Sequence, residues 1–201
     1  MNVVPQQIVL ASASPRRREL LRQIGIDAVV TPADIDEQVH SGEAPMQYVQ
    51  RLAAEKASKV SNDSLSAVVI GADTTIDLDD EILGKPESEL HAMQMLTALS
   101  GREHLVHTGV AVVCDGRVDA RVVSTRVELV VLTEQDIRHY WQSGEPVGKA
   151  GAYAIQGLGA VLVKRISGSY SNVVGLPLSE TAAMLKSQGL CVLAARTVVA
   201  P

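Results

Sequence analysis

The chain has 201 residues, with 18 Lys and Arg against 23 Asp and Glu, for a formal net charge of −5. That balance excludes the global basic field of a nucleic-acid binder, so any recognition of anions must be local. Aromatic residues make up only 2% of the chain, with Trp141, four tyrosines and no phenylalanine. Serial stacking of bases is therefore excluded, and the core must be built from Val, Leu, Ile, Ala and Met.

Cys114 and Cys191 fit no metal spacing and no disulfide framework, which suits a reducing compartment. The start of the chain lacks the pattern of a secretory signal, and no apolar run is long enough to span a bilayer. A cytoplasmic protein without membrane or nucleic-acid partners is expected. The length suits one domain, 1–201, or two small lobes.

Ile8-Val9-Leu10 reads as a strand. Small polar residues follow, then a helix from about Pro15 to Ile24, with Ser14 as its N-cap, Pro15 at its first position and Gly25 as its stop. Arg16, Arg17 and Arg18 fill the first turn, where the helix dipole favours acidic residues. A strand, a tight polar loop and a helix N-terminus form a phosphate-binding geometry, to which arginines would add bidentate contacts. A solvated basic turn is the plain alternative.

Ala28–Thr31 is a second short strand, and Asp34-Ile35-Asp36-Glu37 an acidic, turn-rich piece. A helix follows from about Pro45 to Val60, with Met46, Val49, Ala53, Ala57 and Val60 marking its buried stripe. Val68–Gly71 is a continuous apolar run of the kind that forms a buried strand, with Asp73 just beyond its end. Thr75–Leu78 and Glu81–Leu83 flank Asp79-Asp80 as in a hairpin. A third helix, about Glu87 to Leu99, carries Leu90, Met93, Leu96 and Leu99 at helical spacing.

Val106–Cys114, Asp115-Gly116 and Val118–Val131 form a strong hairpin pattern, with Val123, Thr125, Val127, Leu129 and Val131 alternating onto one face. His104 and His107, three apart in a strand, fall on opposite faces and do not share a metal. A helix capped by Thr133 runs to about Ser143, Gly144–Gly159 is a loop, Val161–Ile166 a strand and Leu178–Lys186 the final helix. The tail Gly189–Pro201 is a last strand or a frayed end. The whole predicts an α/β fold: a mixed, mostly antiparallel central sheet flanked by helices, with two lobes around a cleft.

Three residues break their local pattern. Lys56 lies on the buried stripe of the second helix, and an inward lysine needs a partner unless it snorkels from the edge of the stripe. Asp73 stands at the end of a strand that reads as buried, a common place for metal or proton chemistry, although aspartates also cap turns. Glu37 offers a second carboxylate, but in an acidic loop that alone is a weak signal. The segment Gly144-Glu145-Pro146-Val147-Gly148-Lys149-Ala150 fails as a P-loop on both spacing and its last residue. No G-x-G-x-x-G, H-E-x-x-H or G-x-S-x-G occurs.

Together these segments resemble the Maf family of nucleoside triphosphate pyrophosphatases, from Ile8 to about Lys186. The resemblance rests on Leu-Ala-Ser-Ala-Ser-Pro-Arg-Arg (10–17), Glu-Lys-Ala (55–57), Gly-Ala-Asp-Thr (71–74), Gly-Lys-Pro (84–86), Leu-Ser-Gly (99–101) and His-Thr-Gly-Val (107–110). Lys-Ala-Gly-Ala-Tyr-Ala-Ile-Gln-Gly (149–157), Gly-Ser-Tyr (168–170) and Asn-Val-Val-Gly-Leu-Pro (172–177) complete it.

The resemblance implies metal-dependent cleavage between the α and β phosphates, releasing a nucleoside monophosphate and pyrophosphate. It implies that Ser12, Arg16 and Arg17 bind phosphates, that Lys56 and Lys85 neutralise charge, and that Glu37 and Asp73 hold Mg²⁺ or Mn²⁺ and position or deprotonate water. Arg16, Thr74 and Gln156 are implied as specificity positions, with Gln156 marking the branch that acts on dTTP and UTP; the sister branch acting on 7-methyl-GTP has Glu there. A homodimer is also implied. Three other readings stand beside it: a nucleotide-binding regulator of septum formation, a pyrophosphatase for non-canonical purine nucleotides, and a structural interaction protein.

Overall fold

The computed structural model describes residues 7–64 and 67–194. Their elements run β1 (Ile8–Leu10), α1 (Pro15–Gln23), β2 (Val29–Val30), α2 (Pro45–Ser61), β3 (Val68–Leu78), β4 (Glu81–Leu83), α3 (Glu89–Leu99), β5 (Glu103–Cys114), β6 (Arg117–Leu129), α4 (Glu134–Gln142), β7 (Val163–Ser167), α5 (Tyr170–Val174) and α6 (Leu178–Ser187). One sheet has the order β2-β1-β3-β5-β6-β7, with β4 beside β3. The β2–β1–β3 pairings are parallel and the remaining ones antiparallel. The expected mixed, mostly antiparallel sheet flanked by helices is therefore present.

Several boundaries differ from expectation. Asp73 does not follow a strand; it sits in the middle of β3, which continues without a break to Leu78. The apolar run stops before Asp73 because this residue and Thr74 line a cleft, while the strand itself runs on into the core again at Ile76 and Leu78. Met46 and Leu90 are exposed, and the buried stripe of α3 is Ala92, Met95, Leu96 and Leu99. Val131 lies beyond β6 and is exposed. Residues 157–162 form a 3-10 turn that precedes β7. Helix α5 was not expected; its signals are Ser169, whose side chain accepts from Asn172 N–H, and the stop at Gly175. In the tail, 189–194 hold a turn, and 195–201 lie outside the described residues.

On one sheet face the core is split in two. Leu10, Ile70, Ala72, Val110 and Val112 pack against α1 and α6. Ile76, Leu78, Val106, Val127 and Leu129 pack against α3, α4 and the segment around Ala152 to Leu162. Between them Thr74 interrupts β3 and Thr108 interrupts β5, so a polar belt separates two lobes. The other face carries α2 over Val69, Ala111 and Val113.

Helix α2 lies almost on the backbone of the sheet. A Cβ at Gly71 would overlap the Ala53 carbonyl, and one at Gly109 would overlap the Val49 carbonyl. Two adjacent strands thus present glycine under the same helix, and this close approach sets how deep Lys56 reaches. Gly109→Ala should lower stability by about 1–3 kcal/mol, the usual cost of overpacking. Denaturant titration checks this; an unchanged midpoint would mean the helix can lift at no cost.

Candidate active site

The register of β3 explains why residues from both sheet faces share one cavity. On one edge β1 pairs only with Val68–Ile70 and β4 only with Ile76–Leu78. Between them, no described strand pairs with 71–75 on that edge. The gap opens into a cleft of about 710 Å³. Asp73 enters it from the α2 face and Thr74 from the opposite face. The cleft also takes in Ser12, Arg16, Arg17, Glu37, Lys56, Lys85 and Gln156, so all the expected site residues meet there.

Lys56 is the centre of the acidic side. It is buried, and its Nζ stands 2.7 Å from Asp73 Oδ1 and 2.6 Å from Glu37 Oε1. Lys85 Nζ is 3.8 Å from Glu37 Oε2 and is itself exposed. Burial pushes the Glu37 carboxyl up, but its hydrogen bond to Lys56 and the charges of Lys56, Lys85 and Arg17 outweigh that and hold it below the usual range. Tyr48 donates to the Glu37 carbonyl at 3.0 Å and so ties the acidic loop to α2. Burial, then the negative charges of Asp73 and Glu37, push this phenol up to about 12, so it stays neutral. Sequence reading missed Tyr48; its place one residue before buried Val49 was the available signal.

The arginine turn divides its work. Arg17 Nε donates to the Gly175 carbonyl at 2.8 Å, Nη1 to Ser12 Oγ at 2.9 Å and Nη2 to Thr74 Oγ1 at 3.1 Å. The chain continues through Thr108 Oγ1, 2.9 Å from Thr74 Oγ1, which donates to the Asn172 carbonyl at 2.9 Å. Each hydroxyl has one proton, so Thr74 donates to Thr108. Asn172 Nδ2 donates to the Val106 carbonyl and to Thr125 Oγ1, both at 3.0 Å. Arg17 thus anchors the helix N-terminus to β3 and α5, with each guanidinium nitrogen already committed. Arg16 makes no hydrogen bond or ion pair among the described residues, although burial lowers its pKa and Glu19, Tyr140 and Glu145 partly offset this. Arg18 is exposed.

Lys149 borders the cleft near Arg16, and burial followed by the Arg16 charge lowers its pKa. It belongs to a motif quoted above, yet no site role was expected of it. Gln156 also lines the cleft, and its side chain makes no hydrogen bond among the described residues. Tyr153 OH meets His104 Nε2 at 2.7 Å, with the rings edge to face. His107 points the other way, with Nε2 3.1 Å from Asp77 Oδ2, so the two histidines do lie on opposite faces.

The donor set fits a hard divalent cation. Two carboxylates face one cleft, Asp73 Oδ2 has no hydrogen-bond partner among the described residues, and Glu37 is held ionised. No group of three His, Cys, Asp or Glu suited to a metal occurs among the described residues. A cation here would therefore take its remaining oxygens from a ligand or water, as Mg²⁺ commonly does.

A cleft with carboxylates on one side and, on the other, cations that make no ion pair among the described residues defines a phosphate-handling protein of the α/β class. The Maf-like protein family model matches residues 7–188, and the chain belongs to that family. It is 54% identical over 191 residues to the dTTP/UTP pyrophosphatase of Myxococcus xanthus, covering 94% of this chain and 96% of that protein. With the dTTP/UTP pyrophosphatase of Acinetobacter baylyi it shares 48% over 177 residues, covering 88% and 97%. The Ham1 protein of Staphylococcus aureus has the same fold, with a TM-score of 0.53 at 17% identity, covering 91% of this chain and 100% of that one. No helix among the described residues is long and apolar enough to cross a membrane.

Two substitutions should separate the arginine roles. Arg17→Ala should cost about 2–4 kcal/mol of stability, because it leaves buried acceptors unpaired. Arg16→Ala should change stability by under about 0.5 kcal/mol, because it removes no side-chain hydrogen bond or ion pair among the described residues. Thermal unfolding of both decides; equal losses would put Arg16 in the scaffold.

His104 supplies a pH test. Burial pushes its imidazole down to about 4, below the ordinary 6.5. As pH falls from 6.5 to 4 the unfolded chain takes up this proton before the folded one, so stability drops across that window by up to about 3 kcal/mol. His104→Asn should flatten the fall of the unfolding midpoint over the same window; an unchanged slope would mean the imidazole titrates normally.

Proposed function

We propose that this chain hydrolyses dTTP and UTP between the α and β phosphates, giving the nucleoside monophosphate and pyrophosphate with a divalent metal. The observation that carries the reading is Lys56 bridging Asp73 and Glu37 at the floor of a cleft whose other wall bears Arg16 and Lys149. The names of the relatives in Myxococcus and Acinetobacter support the choice of substrate.

Asp73 and Glu37 would hold Mg²⁺ or Mn²⁺, which when bound supplies charge to offset that of the developing phosphorane. Glu37, kept below the usual carboxylate range, is suited to metal ligation. Asp73 is the acceptor for the proton of the attacking water. The water oxygen bonds to the α-phosphorus, its proton passes to Asp73, and the bridging oxygen leaves with pyrophosphate. Lys56 keeps Asp73 oriented, and Lys85, Arg16 and Lys149 balance the polyphosphate. Ser12 and Arg17 shape the floor on which the phosphates rest: their side chains bind each other, so their contribution comes through the loop they fix. Thr74 and Gln156 face the base. The Gln156 carboxamide offers both a donor and an acceptor, matching the carbonyl and N–H on the thymine or uracil edge.

A regulator that only binds nucleotide would not require the Lys56–Asp73–Glu37 cluster, and the relatives' names give no support to a purine reading. Pyrophosphate release from a panel of nucleoside triphosphates, with Mg²⁺ or Mn²⁺, tests the proposal. Turnover should favour dTTP and UTP, and Asp73→Asn should lower kcat by at least about 100-fold, the usual worth of a general base. Tight dTTP binding without turnover in the unaltered protein would instead make the chain a sensor.

A further inference from the structure

Gln156 occupies the N-cap position of the 3-10 turn Gly157–Leu162, yet its side chain caps nothing. A residue at that position is the usual source of an acceptor for the first free N–H groups of the turn. Here the acceptor comes from elsewhere. Glu145, in the loop after α4, accepts from Leu158 N–H at 2.8 Å through Oε2 and from Gly159 N–H at 2.7 Å through Oε1. Tyr140 OH donates to Glu145 Oε1 at 2.8 Å and accepts from Ala154 N–H at 3.1 Å. The backbone is thus gripped two residues before Gln156 and two and three residues after it.

Gly157 leaves room for the carboxylate, since a Cβ there would overlap Glu145 Oε2. Burial pushes the Glu145 carboxyl up, but the N–H of Gly159, the Tyr140 hydroxyl and the N–H of Leu158 outweigh it and keep the carboxylate ionised. Glu145 does not line the cleft. It also explains the glycine-rich stretch 144–150 that failed as a P-loop: the stretch delivers a carboxylate to backbone N–H groups of the protein itself.

We propose that Glu145, braced by Tyr140, is a positioning residue for base selection. It caps the 157–162 turn in place of Gln156, leaving the Gln156 carboxamide free for the nucleotide base and its backbone fixed. The inference rests on the assignment of Gln156 as the reader of the base. It places the determinants of selectivity partly outside the cavity, on a carboxylate that touches no substrate.

The test is a double-mutant cycle between Glu145→Ala and Gln156→Ala, read as the ratio of kcat/KM for dTTP to that for dCTP. dCTP carries an amino group where thymine carries a carbonyl. Glu145→Ala should cut the ratio about tenfold, within what a small misplacement of a positioning group costs. In the Gln156→Ala background it should cut the ratio no further. A merely structural role would lower kcat/KM for both nucleotides alike and leave the ratio intact, which would overturn the proposal, as would additive effects in the double mutant.

Tyr140→Phe keeps the buried ring and removes only the hydroxyl, so it tests the same grip should Glu145→Ala fail to fold; it should shift the ratio in the same direction. If Gln156→Ala itself leaves the ratio unchanged, the base-reading assignment fails and the positioning role falls with it. If Gln156→Ala abolishes selectivity while Glu145→Ala and Tyr140→Phe do not affect it, the positioning role alone fails.

Discussion

The site depends on one ammonium group being held between two carboxylates at the bottom of a cleft. Lys56 is almost wholly buried, and a buried charge is tolerated only when paired and hydrogen-bonded. Asp73 and Glu37 provide both, at 2.7 and 2.6 Å. The distances follow from the backbone. Lysine has a fixed reach, and α2 comes close enough only because Gly71 and Gly109 leave the sheet bare beneath it. The packing of a helix on two glycines thereby sets the geometry of the cluster, with one lysine between two carboxylate side chains at the cleft.

The sheet contributes a gap rather than a surface. A continuous sheet separates its two faces, so neighbours such as Asp73 and Thr74 would serve different compartments. Here β1 is three residues long and β4 reaches no further than Ile76, so the unpaired edge of β3 between them presents both faces to one cavity. The acidic cluster comes from the α2 side and the arginine anchor from the other. Arg16 of α1 and Lys149 of the 144–150 loop line the same cleft as the ion pairs that hold Lys56. The division between Arg17, with all three nitrogens committed, and Arg16, with none, serves the same end: the scaffold is complete before any ligand arrives.

Much of this was legible in the sequence, and the failures have physical causes. Lys56 was found by periodicity because a helix has one buried stripe and the lysine stands on it. The arginine turn was found because it opposes the helix dipole. Asp73 was found for the wrong reason: hydrophobic runs mark where a strand is covered, not where it ends, and β3 continues polar across the cleft. Met46 and Leu90 show the converse limit, since terminal turns of a helix overhang the sheet and escape burial. Helix α5 is five residues long, too short for periodicity to register. Glu145 and Tyr140 were invisible because, apart from each other, their partners are backbone N–H groups, which carry no side-chain signature in the sequence.

The polar belt between the two cores shows where stability gives way to the site. Thr74, Thr108, Thr125 and Asn172 stand where apolar residues would join the lobes into one larger core. They are linked in a chain of hydrogen bonds, so the cost of burying them is largely offset. It is not wholly offset: Asn172 Oδ1 and His104 Nδ1 are both buried without a partner among the described residues. One lies in the belt and the other belongs to the histidine beneath Tyr153, on the wall of the cleft. A fold under selection for stability alone would fill such positions with Val or Leu. Here the belt gives Arg17 its anchor at Thr74, and Arg17 holds the start of α1 where a phosphate-sized anion can approach its N–H groups. The local sacrifice of apolar packing thus keeps the basic wall in register with the acidic one.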